Sequence, residues 1–230
     1  MYEEWFRRLL AVVAGRQPVV EIGTGPGFFK EFAPRLVATD VLPGSWVDVS
    51  CDAAALPFRS GQIGALVMVD ALHHLPRPLQ FIDEAARVLR PGGRLAMLEP
   101  WITPMSYVLY RYFHHEDCRL GVDVTRPFAG DDKAALDGNA AIPYLVLRRL
   151  ISAPCPLRVV TREPFVALPY LATLGFQMAR PMPRGIVRFA GALERLAWPL
   201  RPLLATRVFA VLEKPAVPKP GSARGEDGRD

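Results

Sequence analysis

The stretch Val19-Val20-Glu21-Ile22-Gly23-Thr24-Gly25-Pro26-Gly27-Phe28-Phe29 decides how the rest of the chain is interpreted. An apolar run that carries one acid leads into three alternating glycines, and a short helical pattern then continues to Pro34. This order predicts a buried strand, a tight turn and the start of a helix. Glycine suits such a turn because it adopts positive φ angles and leaves room for a ligand. The free N–H groups at the start of the helix favour an anionic group.

The glycine turn admits two interpretations when it is taken alone. A dinucleotide-binding fingerprint has the form Gly-x-Gly-x-x-Gly or Ala. Here Phe28 holds the sixth position and the third glycine, Gly27, comes one residue early. The pattern is therefore acid-x-Gly-x-Gly-x-Gly, and the residues that follow are needed to choose between the two.

Composition favours one domain with insertions. The chain has 230 residues, half of them hydrophobic, which is enough for a sizeable core. It contains no uncharged apolar run long enough to span a membrane and does not begin like a secretory signal. Its three cysteines lie far apart and match no metal spacing, so we expect reduced thiols and a cytoplasmic location. Basic charge is concentrated in residues 140–214, with eleven Lys or Arg against three Asp or Glu.

Acids and histidines follow the predicted parallel strands. Asp40 ends an apolar strand 19 residues after Glu21, where a carboxylate can accept hydrogen bonds from both ribose hydroxyls of a nucleoside. Residues 63–70 form a near-continuous apolar run, which is typical of a central strand covered on both faces. That run ends in Asp70 and is followed by His73 and His74. Ligands of open α/β sheets lie at this end of the strands.

Four motifs, in order, resemble the class I S-adenosylmethionine (SAM)-dependent methyltransferases, within the small-molecule family that includes the quinone-biosynthesis enzymes. The motifs are the glycine turn, Asp-Ala-x-x-Leu-Pro-Phe at 52–58, Leu-His-His-Leu at 72–75 and Arg-Val-Leu-Arg-Pro-Gly-Gly-Arg-Leu at 87–95. The resemblance covers roughly the first hundred residues and the last strand. It implies a Rossmann-like three-layer α/β sandwich, whose mostly parallel seven-stranded sheet has an antiparallel last strand inserted between the fifth and the sixth.

The resemblance also implies the cofactor and the residues that hold it. By that resemblance Asp52 accepts from the adenine amino group, Ala53 contributes its backbone N–H, and Leu56 and Phe58 support the loop. An Asx turn is the alternative role for Asp52. The complete set expected around SAM is Glu21, Gly23, Thr24, Gly25, Gly27, Asp40, Val41, Asp52, Ala53 and Asp70.

The insertion at about 101–150 is long for a plain connection, and long loops often cover active sites. The candidate general bases are His114 and His115 of this insertion, together with Asp70, which ends the apolar run over 63–70, and His74 after it. Histidine suits this role because it titrates near neutrality. The run His114-His115-Glu116-Asp117 matches no standard metal spacing, so we expect no metal site. A solvated loop is the alternative for this segment.

A second insertion, at about 166–205, carries an apolar helix over 185–198. Arg184, Arg188 and Arg195 share one side of that helix. The helix either packs over the substrate site, or contacts an anionic membrane at its inner face or a lipid-linked acceptor through 184–207. Nucleic acid is the least favoured partner, because exposed aromatic residues are not interleaved with the basic ones. Residues 215–230 are expected to be disordered.

The sequence therefore predicts a SAM-dependent methyltransferase domain over 1–214 that acts on a small or lipid-like acceptor at O or C. The alternatives are an RNA methyltransferase and a SAM-binding interaction domain without catalysis. Neither the acceptor nor the oligomeric state follows from the sequence.

Overall fold

A computed structural model describes residues 2–114, 116–127, 138–168 and 183–216. The helices are α1 (Tyr2–Val12), α2 (Phe28–Phe32), α3 (Pro78–Val88), α4 (Pro104–Tyr112), α5 (Ile142–Ser152), α6 (Arg184–Leu196) and α7 (Arg201–Leu204), with short 3-10 helices at Leu72–His74 and Trp198–Leu200. The strands are β1 (Val19–Ile22), β2 (Val37–Asp40), β3 (Val49–Ser50), β4 (Ile63–Val69), β5 (Leu89–Pro100), β6 (Arg158–Phe165) and β7 (Arg207–Glu213).

The seven strands form one sheet in the order β3-β2-β1-β4-β5-β7-β6. Strands β1 to β5 pair in parallel, whereas β7 is antiparallel to both β5 and β6. The predicted fold class is therefore confirmed, including the position of the reversed strand. Because β1, β2 and β4 run the same way, the glycine turn, Asp40 and the residues after β4 all lie at one edge of the sheet.

Helices cover both faces of the sheet. Along β4, Ala65 and Val67 point to one apolar cluster, which contains Trp5, Phe6 and Leu9 of α1. Leu66 and Met68 point to the other cluster, where α3 and α5 pack. Since the central strands are buried on both sides, their sequences read as continuous apolar runs.

Two boundaries differ from the sequence pattern. Helix α3 stops at Val88 and β5 begins at Leu89, although the Pro91-Gly92-Gly93 run by itself favours a break between helix and strand. The end of the last strand explains the difference, because the Gly92 N–H donates to the Lys214 carbonyl and the Lys214 N–H to the Gly93 carbonyl. Strand β3 has only two residues. Just before it, the Asp48 carboxylate accepts a hydrogen bond from the Ala38 N–H at 2.8 Å, so a side chain occupies the place of a backbone partner.

Candidate functional site

The glycine turn after β1 has the backbone conformation that its glycines predict. Gly23, Gly25 and Gly27 have φ angles of 70°, 51° and 81°, which residues with a Cβ rarely adopt. A Cβ on Gly23 would lie 2.6 Å from the Cβ of Ala71, so the turn touches the loop after β4. A Cβ on Gly25 would meet nothing within 4 Å, so this residue faces open space. The turn is thus closely packed on one side and accessible on the other.

Glu21 lies beneath this turn and is almost fully buried. Its Oε2 accepts a hydrogen bond from the Thr24 hydroxyl at 2.7 Å. Burial raises the pKa of Glu21 to about 7, the Thr24 hydrogen bond opposes the rise, and the nearby Asp40 charge adds to it. Glu21 therefore changes protonation near neutral pH and fixes the start of the turn through Thr24.

Asp40, at the end of β2, joins two loops through its carboxylate. Oδ2 accepts the Gly25 N–H at 2.9 Å, and Oδ1 accepts the Leu42 N–H at 3.0 Å. An ionised carboxylate has about four acceptor positions, so both oxygens keep capacity for a ligand. The neighbouring Val41 side chain is exposed beside it.

The Asp52 loop lies at the same edge of the sheet. Oδ1 of Asp52 accepts the Ala54 N–H at 2.8 Å, and Oδ2 pairs with Arg77. The Asx turn predicted as the alternative role is therefore present. Behind the loop, Glu84 accepts the Leu56 N–H at 3.0 Å and so supports its backbone.

Asp70, directly after β4, is paired with Arg207 of β7. Its φ angle is 53°, and its Oδ1 lies 2.6 Å from the Arg207 Nη2. The Arg207 side chain is 1% exposed and lies 5.4 Å from the Trp5 ring centroid. A guanidinium with so little access to water needs an adjacent negative charge, which Asp70 supplies. This engagement reduces the value of Asp70 as a free base.

Glu99, near the end of β5, organises the loop after β4. One oxygen accepts the N–H groups of Ala71 and Leu72 at 2.9 and 2.8 Å, and the other lies 2.8 Å from Nδ1 of His73. Both Glu99 and His73 are buried. The Glu99 carboxylate thereby holds the His73 ring in one orientation. Sequence analysis missed Glu99 and Arg207, because each looks like one polar residue within a strand.

The first insertion brings Glu116 to the histidines that follow β4. Its carboxylate lies 3.3 Å from Nε2 of His73, 3.5 Å from Nε2 of His74 and 3.7 Å from Nδ1 of His114. Burial alone would lower the pKa of His73, but Glu116 and Glu99 raise it to about 10. Burial alone would raise the pKa of Glu116, but His73 and the other histidines lower it to about 2.

Two of the candidate bases, His74 and His114, are thus placed together around Glu116. The other candidates are placed differently: Asp70 is paired with Arg207, and His115 lies outside the described residues. Beside this cluster, the Asn139 N–H donates to the His73 carbonyl, and the Ala140 N–H donates to the Asp117 carbonyl. Both described parts of the insertion therefore pack against the 3-10 helix that carries the histidines.

The second insertion presents an apolar surface to solvent. Phe189 and Leu196 are 65% and 78% exposed. We define the 186–203 surface by these exposed apolar residues: Ile186, Phe189, Leu193, Leu196, Trp198, Leu200 and Leu203. Arg195 is exposed, and the Arg201 guanidinium lies 4.1 Å from the Trp198 ring centroid. The predicted stripe can be followed only at Arg195, since the side chains of Arg184 and Arg188 lie outside the described part.

Comparison with known proteins identifies the class. Residues 20–97 match the family model described as "Methyltransferase domain", about a third of the chain. A mouse tRNA (carboxymethyluridine(34)-5-O)-methyltransferase is 38% identical over 60 residues, 25% of this chain and 9% of that protein. A ubiquinone/menaquinone biosynthesis C-methyltransferase from Roseobacter denitrificans is 43% identical over 51 residues, 22% of this chain and 20% of that protein.

A solved structure extends the likeness to the whole fold. The structure of a geranyl diphosphate methyltransferase in complex with SAM superposes with a TM-score of 0.57 at 16% identity, over 92% of this chain and 85% of that one. At 16% identity, this likeness shows that the two proteins share a fold and nothing more. The chain spans between 9% and 43% of the length of the curated relatives it matches.

Residues 20–97 therefore form a methyltransferase domain, whose cofactor is SAM. The domain type and the cofactor predicted from the sequence are thereby confirmed. Separately, a search of residues 2–114, 116–127, 138–168 and 183–216 finds no helix with the length and apolar composition needed to cross a membrane.

Proposed function

We propose that the chain transfers a methyl group from SAM to a small or lipid-like acceptor, at an oxygen or a carbon atom. One observation carries this proposal. Three features lie together at the carboxyl edge of the sheet: the open side of the glycine turn, the Asp40 carboxylate and the Asp52 loop. The Gly25 N–H donates a hydrogen bond to the Asp40 carboxylate, which fixes the position of the turn relative to Asp40. The two insertions, at about 101–150 and 166–205, then select the acceptor.

The residues present fit SAM. Asp40 has acceptor positions left for both ribose hydroxyls, and exposed Val41 offers the adenine an apolar contact. Asp52 and the Ala53 N–H serve the adenine edge. Glu21, Thr24 and the glycines shape the turn for the methionine portion, which approaches on the side where Gly25 meets open space. Asp70 closes this end of the site.

When bound, SAM supplies a methyl group that the sulfonium has already activated. The protein therefore has to align the acceptor with that methyl group and exclude water. The described parts of the first insertion pack over the residues that follow β4 and cover this edge of the sheet. For an oxygen acceptor, His74 or His114 would remove the proton, and the Glu116 carboxylate beside them stabilises the imidazolium that results.

The acceptor class rests on the insertions. The relatives compared above include a tRNA-modifying enzyme and a quinone-modifying one, and both matches are confined to about a quarter of this chain. Neither match therefore chooses the acceptor. The 186–203 surface joins five exposed aliphatic side chains to the rings of Phe189 and Trp198, with Arg195 and Arg201 nearby. A surface with this aliphatic majority suits a lipid-like acceptor.

The same surface would attach the protein to the inner face of an anionic membrane. Exposed apolar patches of this kind commonly mark contact sites, and arginines near them favour acidic headgroups. Sedimentation with vesicles that contain phosphatidylserine tests this. We expect salt-sensitive binding that Phe189→Asp or Leu196→Asp abolishes, while Ile151→Asp, an exposed apolar residue on α5, serves as the control. Absence of binding, or equal loss in the control, would refute the contact.

Catalysis is tested by calorimetry with SAM followed by a methyl-transfer assay on small-molecule, lipid and RNA fractions of a cell extract. We expect one SAM per chain and transfer to the small-molecule or lipid fraction. Transfer to RNA would contradict the proposed acceptor class. Binding without transfer to any fraction would favour an interaction domain that has lost catalysis.

A further inference from the structure

Three side chains from two distant segments converge on one point at the edge of the sheet. His73 and His74 belong to the 3-10 helix after β4, and Glu116 belongs to the first insertion. The ligand atoms of these three residues all lie within 4.8 Å of one another. The segments are far apart in sequence, so spacing along the chain gave no sign of this cluster.

The distances from Glu116 to the two histidines also suit the ligands of one shared ion. The Glu116 oxygens lie 3.3 Å from Nε2 of His73 and 3.5 Å from Nε2 of His74. Charge-assisted hydrogen bonds between such groups are shorter, about 2.7–2.9 Å. In a tetrahedral zinc site with ligand bonds of about 2.0–2.2 Å, by contrast, neighbouring ligand atoms are about 3.3–3.5 Å apart.

The surroundings of His73 are those of a metal ligand. Its Nδ1 lies 2.8 Å from the buried Glu99 carboxylate, which accepts the N–H of that nitrogen. Nε2 faces Glu116, and a zinc ion there would replace the proton that keeps His73 charged at neutral pH. A carboxylate behind a ligating histidine fixes its tautomer and raises its basicity. Gly138 packs against the same three residues, since a Cβ there would lie 2.9 Å from each histidine ring and 3.1 Å from the Glu116 carboxyl carbon.

We propose that His73, His74 and Glu116 bind one divalent transition-metal ion, with zinc as the best match for two imidazoles and one carboxylate. His114 is not a ligand, because its Nδ1 accepts the Glu116 N–H at 3.3 Å. Three protein ligands leave a fourth position open, as catalytic zinc sites do. The expectation of no metal site rested on the contiguous run from His114 to Asp117, which does not include His73 and His74, and the proposal departs from it.

The open position defines a ligand class as well as a site. An oxygen donor such as a hydroxyl or an enolate would bind there and lose its proton more readily. With zinc bound, His74 is a ligand, so the general base of the proposed function is His114. The role of the open position in methyl transfer rests on the proposed function, whereas the metal site does not. Metal binding is therefore measured on the full chain without SAM or acceptor.

The experiment is zinc titration of chelator-treated protein by calorimetry, with Co²⁺ absorption as an independent report of ligand geometry. We expect one ion per chain and a tetrahedral Co²⁺ spectrum. His74→Ala and Glu116→Gln should each weaken zinc binding by at least about a hundredfold, because removing a ligand costs more than removing a group behind one, which costs about 10–100-fold. Asp117→Asn, the neighbouring exposed carboxylate, is the matched control and should bind as the wild type does.

Thiols are the competing zinc ligands in this chain, so Cys51→Ser and Cys155→Ser are included. Circular dichroism establishes that each variant is folded before it is titrated. Three results would overturn the proposal: less than one ion per chain at saturation, binding that survives in both His74→Ala and Glu116→Gln, or binding that disappears with a cysteine. Methyl transfer that fails while zinc binds would count against the proposed function alone.

Discussion

Replacing the glycines of the turn one at a time separates their packing role from their ligand role. In Gly23→Ala the new Cβ would lie 2.6 Å from the Ala71 Cβ, well inside contact distance, at a φ of 70°. The left-handed conformation costs about 1–2 kcal/mol for a residue with a Cβ. Overpacking against the loop after β4 adds about 1–3 kcal/mol. We therefore expect Gly23→Ala to lower the free energy of unfolding by about 2–5 kcal/mol.

Gly25→Ala should behave differently, because a Cβ there meets nothing within 4 Å. Its stability should fall only by the conformational cost of about 1–2 kcal/mol. Its affinity for SAM, however, should fall at least about tenfold, equivalent to about 1.4 kcal/mol, because the methyl group occupies the ligand side of the turn. Gly61→Ala, with a φ of 69° and equally open surroundings away from the site, is the matched control for backbone strain.

Urea unfolding and SAM titration of the three variants supply the two quantities. The reasoning fails if Gly23→Ala is no less stable than Gly61→Ala, since overpacking against Ala71 would then contribute nothing to the loss of stability. It fails equally if Gly25→Ala binds SAM as tightly as Gly61→Ala does.

Two further predictions concern buried charge. Asp70→Asn leaves the buried Arg207 guanidinium without its counter-charge and should cost about 3 kcal/mol, the lower end for a broken buried pair because Asp70 is partly exposed. Asp123→Asn, in an exposed pair with Arg126, should lose far less stability in the same denaturation assay; equal losses would contradict the buried pairing. Glu21 has a folded pKa of about 7, whereas its ordinary pKa is 4.5, so between these two pH values the folded state keeps a proton that the unfolded state has already released. Wild-type stability should therefore fall by about 3 kcal/mol as pH rises from 4.5 to 7, while Glu21→Gln lacks this fall. Identical pH profiles for the two proteins would contradict the raised pKa.

Local patterns predicted most of the sheet. Strand β4 reads as an unbroken apolar run because helices cover both of its faces, and the glycines after β1 mark a turn that needs positive φ. The extension of β5 back to Leu89 could not be predicted, since it depends on pairing with the chain after β7. Boundaries of this kind are set by a partner strand and not by the residues themselves.

The placement of Asp40 and Asp52 at one edge of the sheet was predictable for the same reason. Asp40 and Asp52 stand at strand ends within short motifs, and their carboxylates now lie beside the turn or in the predicted loop. The arrangement of side chains around His73 could not be predicted from the sequence. Its contacts with Glu99 and Glu116 join residues that only the folded topology brings together, and Arg207 reaches Asp70 because β7 is inserted beside β5.

SAM titration of the wild type and of Asp40→Asn tests the central claim most directly. Asparagine keeps one accepting oxygen for one of the two backbone N–H groups, and it removes the charge and the second acceptor. Urea unfolding therefore first establishes that the variant is as stable as the wild type. We predict one SAM per chain for the wild type, and an affinity at least about tenfold weaker, or about 1.4 kcal/mol, for Asp40→Asn. A wild-type chain that does not bind SAM, or a variant that binds it equally well, would contradict the account.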